Sequence, residues 1–192
     1  MDRATLLAKF AEKFPGIQEA AQPVRDYPTF RLAAAADLVP AARWLKEELG
    51  FDYLDMVTAT DWLGPVDLRG YVREANPHVI AKELGAPGGD PAPAKKNEGV
   101  GYRDAIELLY CFSNFREKAK VFLKLDVPRS PASAPSLFPV FHSADWQERE
   151  AFDLLGVAFD GHPNLAKILT PDFIAGNPLR KDYVHQKDRY DS

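Results

Sequence analysis

Apolar residues along this chain change period several times, and each change marks an element. Residues 4–14 place Leu6, Leu7, Phe10, Ala11 and Phe14 at helical spacing, and Pro15-Gly16 stops the run. A short extended segment over Thr29 to Ala34 follows. Asp37 stands as an N-cap ahead of a second helical stripe, Leu38, Ala42, Leu45 and Leu49, which Gly50 ends. The next run, FDYLDMVTATDW, is rich in strand formers. Period-two alternation then appears twice. Tyr102, Ile106, Leu108, Tyr110 and Phe112 share one face; so do Val121, Leu123, Leu125 and Val127, with Lys120, Lys124 and Asp126 opposite. Two such runs joined by a short polar connection predict an antiparallel pair with one solvated face. Helices, then a sheet, then a helix again predict an α+β fold, a small mixed or antiparallel sheet packed by helices.

Residues 64–99 differ in kind. Gly, Pro, Lys and Asn crowd the stretch GAPGGDPAPAKKNEGVG, which lacks the apolar residues to build a core. Its later half reads as a flexible surface insertion, with VDLRGYV ahead of it as a short strand. The predicted organisation is an α+β domain over 1–142 containing this insertion, then a helix and an extended, ordered C-terminal segment over 143–192.

The segment SADWQEREAFDLL predicts a helix, with Ser143 as N-cap and Asp145 at its positive end. At about 100° per residue, Arg149, Asp153, Trp146 and Glu150 gather on one side, and Ala151, Leu155, Glu148 and Phe152 on the other. Glu148 thus lies in an apolar sector, while Trp146 stands among charges. A plain surface helix has one apolar and one charged side; this one meets neighbours on both. The plainer reading is an i,i+4 pair of Arg149 with Asp153 on a solvated face. Beyond it, Gly156 stops the helix, Gly161 supplies an unusual backbone conformation and Pro163 fixes the next turn. Thr170-Pro171-Asp172 has the order of an N-cap, first position and acidic first turn of a short helix ended by Gly176. His142, His162 and His185 are not at ligand spacing, so no metal site is expected.

Composition narrows the classes. Of 192 residues, 46% are hydrophobic and 27% charged, ordinary for a folded domain. A net charge of −4 and a pI near 5.6 lack the basic footprint of a nucleic-acid binder. The apolar runs Ile106 to Phe112 and Leu32 to Ala42 are too short for a direct membrane span. The opening MDRATLLAKF meets Glu12 and Lys13 without a signal-peptide core, so a cytoplasmic location is expected. Cys111 is the sole cysteine, which excludes an internal disulfide and the usual four-cysteine iron–sulfur cradle. Its place in an alternating apolar run makes it a small buried hydrophobe.

Fixed identities at fixed spacing carry more. Glu148-Arg149-Glu150, Asp153, Gly156-Val157, Phe159, Gly161-His162-Pro163-Asn164-Leu165 and Ile168-Leu169 closely resemble the signature of the 30-kilodalton subunit family of respiratory complex I. The likeness extends through Pro135-Ser136, Ala144-Asp145-Trp146 and Pro178-Leu179-Arg180-Lys181-Asp182-Tyr183. Lys167 stands where the pattern has Arg, Leu155 where it has an aromatic residue, and Val184 where it has Pro. Lysine keeps the charge but loses the bidentate fork, so a carboxylate contact there would weaken or rearrange.

The resemblance implies a non-catalytic structural subunit of the peripheral arm of a proton-pumping NADH–quinone oxidoreductase. It would sit on the cytoplasmic side of the membrane, beside the quinone-site (49-kilodalton-type) subunit and near the subunit with the terminal iron–sulfur cluster. It implies no cofactor in this chain, with FMN, iron–sulfur clusters and quinone held by partners, and no catalytic or metal residues. Expected interface residues are Trp146, Glu148, Arg149, Glu150, Asp153, Gly161, His162, Pro163, Lys167, Arg180, Lys181, Asp182 and Tyr183. Three other readings remain: the equivalent subunit of a membrane-bound hydrogenase or formate hydrogenlyase, a stand-alone hydrolase using Glu150, Asp153 and His162, and a binding module with another partner.

Overall fold

The computed structural model describes residues 3–64 and 97–183. Most of the 64–99 segment, VDLRGYV, Val184 and His185 lie outside them. Helix α1 (Arg3–Lys13) leads into two short strands, β1 (Gln18–Glu19) and β2 (Thr29–Arg31). A 3-10 turn (Ala35–Asp37) opens helix α2 (Leu38–Glu47). Strands β3 (Tyr53–Asp61), β4 (Ala105–Asn114) and β5 (Ala119–Pro128) follow, then β6 (Ser133–Pro135), helix α3 (Ala144–Leu155) and β7 (Ala158–Asp160).

The main sheet is mixed, in the order β1-β2-β5-β4-β3, with β2 parallel to β5 and the other neighbours antiparallel. Strands β6 and β7 form a separate parallel pair. This is the α+β fold the alternating pattern predicts. Ile106, Leu108, Tyr110 and Phe112 of β4 and Val121, Leu123, Leu125 and Val127 of β5 all point into the core. There they meet Leu6 and Phe10 of α1, Leu38, Ala42 and Leu45 of α2, and Ala151 and Leu155 of α3. Phe10 stacks on Phe30 at 3.8 Å and meets Trp44 edge-on at 4.9 Å. Burying each Leu or Phe side chain stabilises by about 1.5–3 kcal/mol, which holds the helices on one face of the sheet.

The other face differs from the solvated one expected. Arg31 and Arg103 each pair with both Glu107 and Asp126, and Lys124 approaches Glu107 at 3.5 Å, so Glu107 is buried in an ion-pair network. Cys111 is buried, as expected, but on this face, where its thiol donates to Asp55 at 3.4 Å. Burial, with the Asp55 carboxylate beside it, pushes the thiol up to about 12, an inert form. Tyr102 falls outside β4; its hydroxyl accepts from the Asn97 N–H at 3.1 Å.

Two predicted caps are not caps. Asp37 makes no side-chain bond to the start of α2, because the 3-10 turn already occupies that approach. Ser143 donates its hydroxyl to the Leu54 carbonyl at 3.1 Å instead. Gln147 accepts the Val57 N–H. Both bonds lay α3 against β3, the edge strand of the sheet, and occupy polar groups that an open edge would present to other chains.

Candidate functional site

The site is α3 together with the segment 161–183, which runs beside it as a strap in the same direction. His162, at its start, lies against the first turn of α3. The Asn164 N–H donates to His162 Nδ1 at 3.1 Å, which leaves Nε2 to carry the proton and donate to the Asp145 carbonyl at 3.2 Å. Arg149 Nε donates to the Ala166 carbonyl at 3.0 Å. Asp153 Oδ2 then accepts three successive backbone N–H groups, from Ile168 at 3.0 Å, Leu169 at 2.7 Å and Thr170 at 2.9 Å. The Thr170 hydroxyl donates to Oδ1. Burial disfavours the Asp153 charge, but these donors outweigh it and hold the carboxyl below its ordinary range.

The last carbonyls of any helix lack intrahelical partners. Here the strap supplies them. Asn177 Nδ2 donates to the carbonyls of Phe152 at 3.2 Å and Asp153 at 3.0 Å; the Leu179 N–H reaches Leu154 at 2.9 Å; Arg180 Nε reaches Leu155 at 2.7 Å. Gly156, at φ +71°, turns the chain away. Helix and strap therefore hold one another.

Glu148 is buried on the opposite side of α3. It accepts the Ser136 hydroxyl at 2.6 Å and the Leu137 N–H at 2.7 Å, tying α3 to the residues that follow β6. Burial pushes its carboxyl up to about 7, partly offset by those two donors and reinforced by Asp145. At the strap's far end, Asp61 is gripped by both Nε and Nη2 of Arg129 at 2.9 Å, and it accepts the Lys181 N–H at 2.9 Å. Arg129 also pairs with Asp182 at 2.5 Å, so the strap is clasped to the end of β3.

These contacts revise several expectations. Arg149 and Asp153 do not pair with each other; backbone groups of the strap take both. Thr170-Pro171-Asp172 starts no helix, because the Thr170 hydroxyl is drawn to Asp153, and a turn closes with Ile174 N–H on the Pro171 carbonyl at 3.0 Å. Lys167 binds the Ile174 carbonyl at 2.6 Å rather than a carboxylate. Glu148 and Asp153 commit their carboxylates inside the fold. Trp146, Glu150, Gly161, Pro163, Lys181 and Asp182 are exposed, and His162, Lys167, Arg180 and Tyr183 are half-buried in the strap. Glu150, Asp153 and His162 do not converge, since His162 sits at Asp145, eight residues and about 12 Å along the helix from Asp153.

Four large apolar residues face outward: Trp146 is 66% exposed, Leu169 60%, Phe173 58% and Leu179 56%. Arg149 lies over the Trp146 ring at 5.3 Å. Motif spacing did not single out Leu169 and Phe173 as outward-facing; the strap's path leaves both exposed. Asn177 and Arg129 were likewise missed, because their partners are 24 and 68 residues away. Among the described residues no group of His, Cys, Asp and Glu could hold a metal ion, and no helix is long and apolar enough to cross a membrane.

The fold defines a small α+β domain whose third helix is strapped by the segment that follows it. Residues 32–189 match the family described as respiratory-chain NADH dehydrogenase, 30 Kd subunit, and the chain belongs to that family. It is 35% identical over 151 residues to the NADH-quinone oxidoreductase C subunit of Hydrogenovibrio crunogenus, covering 77% of this chain and 66% of that protein. The corresponding C subunit of Bartonella bacilliformis is 34% identical, with 78% and 72% covered. The C/D subunit of Aeromonas salmonicida is 35% identical over 127 residues, but the match spans only 21% of that longer protein. Two solved structures share the fold. The archaeal membrane-bound sulfane sulfur reductase complex aligns at TM-score 0.60 and 21% identity, covering 94% of this chain and 84% of that one. A trypsin-resistant fragment of Nqo5 aligns at 0.50 and 17%, with 85% and 100% covered.

Proposed function

We propose that this chain is a non-catalytic structural subunit of the peripheral arm of an NADH–quinone oxidoreductase, docking by its strapped helix beside the quinone-site subunit. The observation that carries this reading is the strap's outward face. Leu169, Phe173 and Leu179 are large and exposed, yet sit on a segment fixed by hydrogen bonds at both ends and in the middle, and the exposed Trp146 stands on the helix it is tied to. An apolar surface held this rigidly loses little conformational entropy on binding, which favours a permanent partner. The relative named as a C/D subunit, in which the matched part is a fifth of a longer chain, supports a domain that works against a neighbouring subunit. The same reading places FMN, iron–sulfur clusters and quinone in partner subunits, puts the terminal-cluster subunit nearby, and sets the chain peripherally on the cytoplasmic side of the membrane. Glu148 and Asp153 then serve the surface indirectly, by fixing α3 and the strap.

Affinity purification of the full chain from its native membranes, with mass spectrometry and an NADH–quinone activity assay, tests this. Co-purification of the quinone-site and flavin subunits with inhibitor-sensitive activity is expected. Recovery with hydrogenase subunits would move the chain to a related assembly, and recovery alone in gentle detergent would overturn the subunit reading.

A further inference from the structure

Resting on the subunit reading, we infer that the partner surface facing α3 and the strap presents carboxylates set around an apolar floor, received by the guanidinium groups of Arg149 and Arg180. Both arginines are built alike. Each uses Nε on a carbonyl of its own chain, Arg149 on Ala166 at 3.0 Å and Arg180 on Leu155 at 2.7 Å. Neither makes an ion pair among the described residues, and neither Nη fork has a hydrogen-bond partner there. A guanidinium anchored through Nε keeps a planar, pre-oriented pair of Nη donors, the edge that donates two parallel hydrogen bonds to a carboxylate end-on.

The acids of α3 and the strap do not fill this role. Asp153 is closed by four strap donors, Glu148 by Ser136 and Leu137, and Asp182 by Arg129. Glu150 and Asp172 are exposed and form no ion pair with either arginine. The apolar part of the same surface explains why the partner carboxylates matter. Trp146 lies under Arg149, and the exposed Leu179 is the chain neighbour of Arg180. Covering them removes water from the arginines as well, and a desolvated guanidinium without a carboxylate is strongly unfavourable. A partner with a neutral apolar face would leave that cost unmet. An acidic rim meets it and fixes register, because two-point pairing with the Nη groups tolerates little rotation.

Arginine-to-lysine substitutions test this in the assembled complex, since they keep the charge, remove the fork and place a carbodiimide-reactive amine at the same point. The full chain carrying Arg149→Lys or Arg180→Lys is expressed in its native host, and the complex is treated with a water-soluble carbodiimide. Zero-length cross-links from position 149 or 180 to Asp or Glu of another subunit are expected. The double variant should be released from washed membranes at about tenfold lower retention than the unsubstituted chain as salt is raised. Links only to Glu150 or Asp172 of this chain, no links from either position, or retention equal to the unsubstituted chain at every salt concentration would each overturn the inference. Failure of the underlying subunit reading looks different, because the unsubstituted chain would then be missing from the complex.

Discussion

Asp153, in the last turn of α3, and Thr170, in the strap, are joined twice: the Thr170 N–H meets Oδ2 at 2.9 Å and its hydroxyl meets Oδ1. With the N–H groups of Ile168 and Leu169 also on Oδ2, one buried carboxylate organises a whole bend of the chain. The pair explains why the strap is ordered although it contains no helix or strand.

Asp153→Asn replaces an acceptor-only group by one that turns an amide toward donors. We expect a loss of roughly 1–3 kcal/mol in urea unfolding and faster proteolytic cleavage within 161–183. Because the folded carboxyl titrates below its ordinary value of 3.8, its stabilisation is present above that pH and is lost as pH falls further. The substituted chain should therefore lack that part of the acid-induced loss. Unfolding curves identical to the unsubstituted chain across pH would remove Asp153 as the organising group.

Glu148 works in the opposite sense. Burial raises its carboxyl from 4.5 to about 7, so the folded chain binds this proton more tightly than the unfolded one. Its stabilising effect is complete below pH 4.5 and is lost as pH rises through about 7. Glu148→Gln keeps the shape without the charge, so its stability relative to the unsubstituted chain should improve from pH 5 to pH 8. The limiting slope is about a tenfold change in folding equilibrium per pH unit. A pH-independent difference would show that Glu148 is not titrating there.

Arg129→Met should be costly because it leaves the buried Asp61 charge with backbone donors alone. About 3–5 kcal/mol is the usual loss when one partner of a buried pair is removed. Adding Asp61→Asn should recover part of it, a non-additivity that a double-mutant cycle measures directly. Strictly additive losses would mean that the clasp does not act as a unit.

Gly156→Ala probes the junction of helix and strap. At φ +71° an L side chain is disfavoured by roughly 1–2 kcal/mol. An added Cβ would also come within 2.9 Å of Asn177 Cγ, displacing the side chain that caps the Phe152 and Asp153 carbonyls. A lower melting temperature with increased cleavage near Asn177 is expected; an unchanged melting temperature would show that the cap is dispensable.

The α+β class, both main helical stripes and the β4–β5 face were legible in the sequence because they rest on local periodicity. Leu38, Ala42 and Leu45, or Ile106 and Leu108, reach the core by spacing alone. The wheel of α3 also told correctly that Glu148 is buried and that both sides of the helix have neighbours. Family identity was legible for a different reason: many fixed residue types recur at fixed spacing between Glu148 and Tyr183.

What tertiary structure decided is which partner each polar group takes. Asp37, Ser143 and Thr170 all read as caps from local sequence, yet Ser143 turns to β3 and Thr170 to Asp153. Arg149 and Asp153 stand at ion-pair spacing, yet both bind strap backbone. A local cap or i,i+4 pair contributes a few tenths to about 1 kcal/mol, less than the cost of leaving a buried backbone N–H or carbonyl unpaired. Period and composition therefore determined the elements and their buried faces. The strap's course, and with it the outward placement of Leu169, Phe173 and Leu179, was decided by long-range satisfaction of polar groups that one-dimensional spacing does not encode.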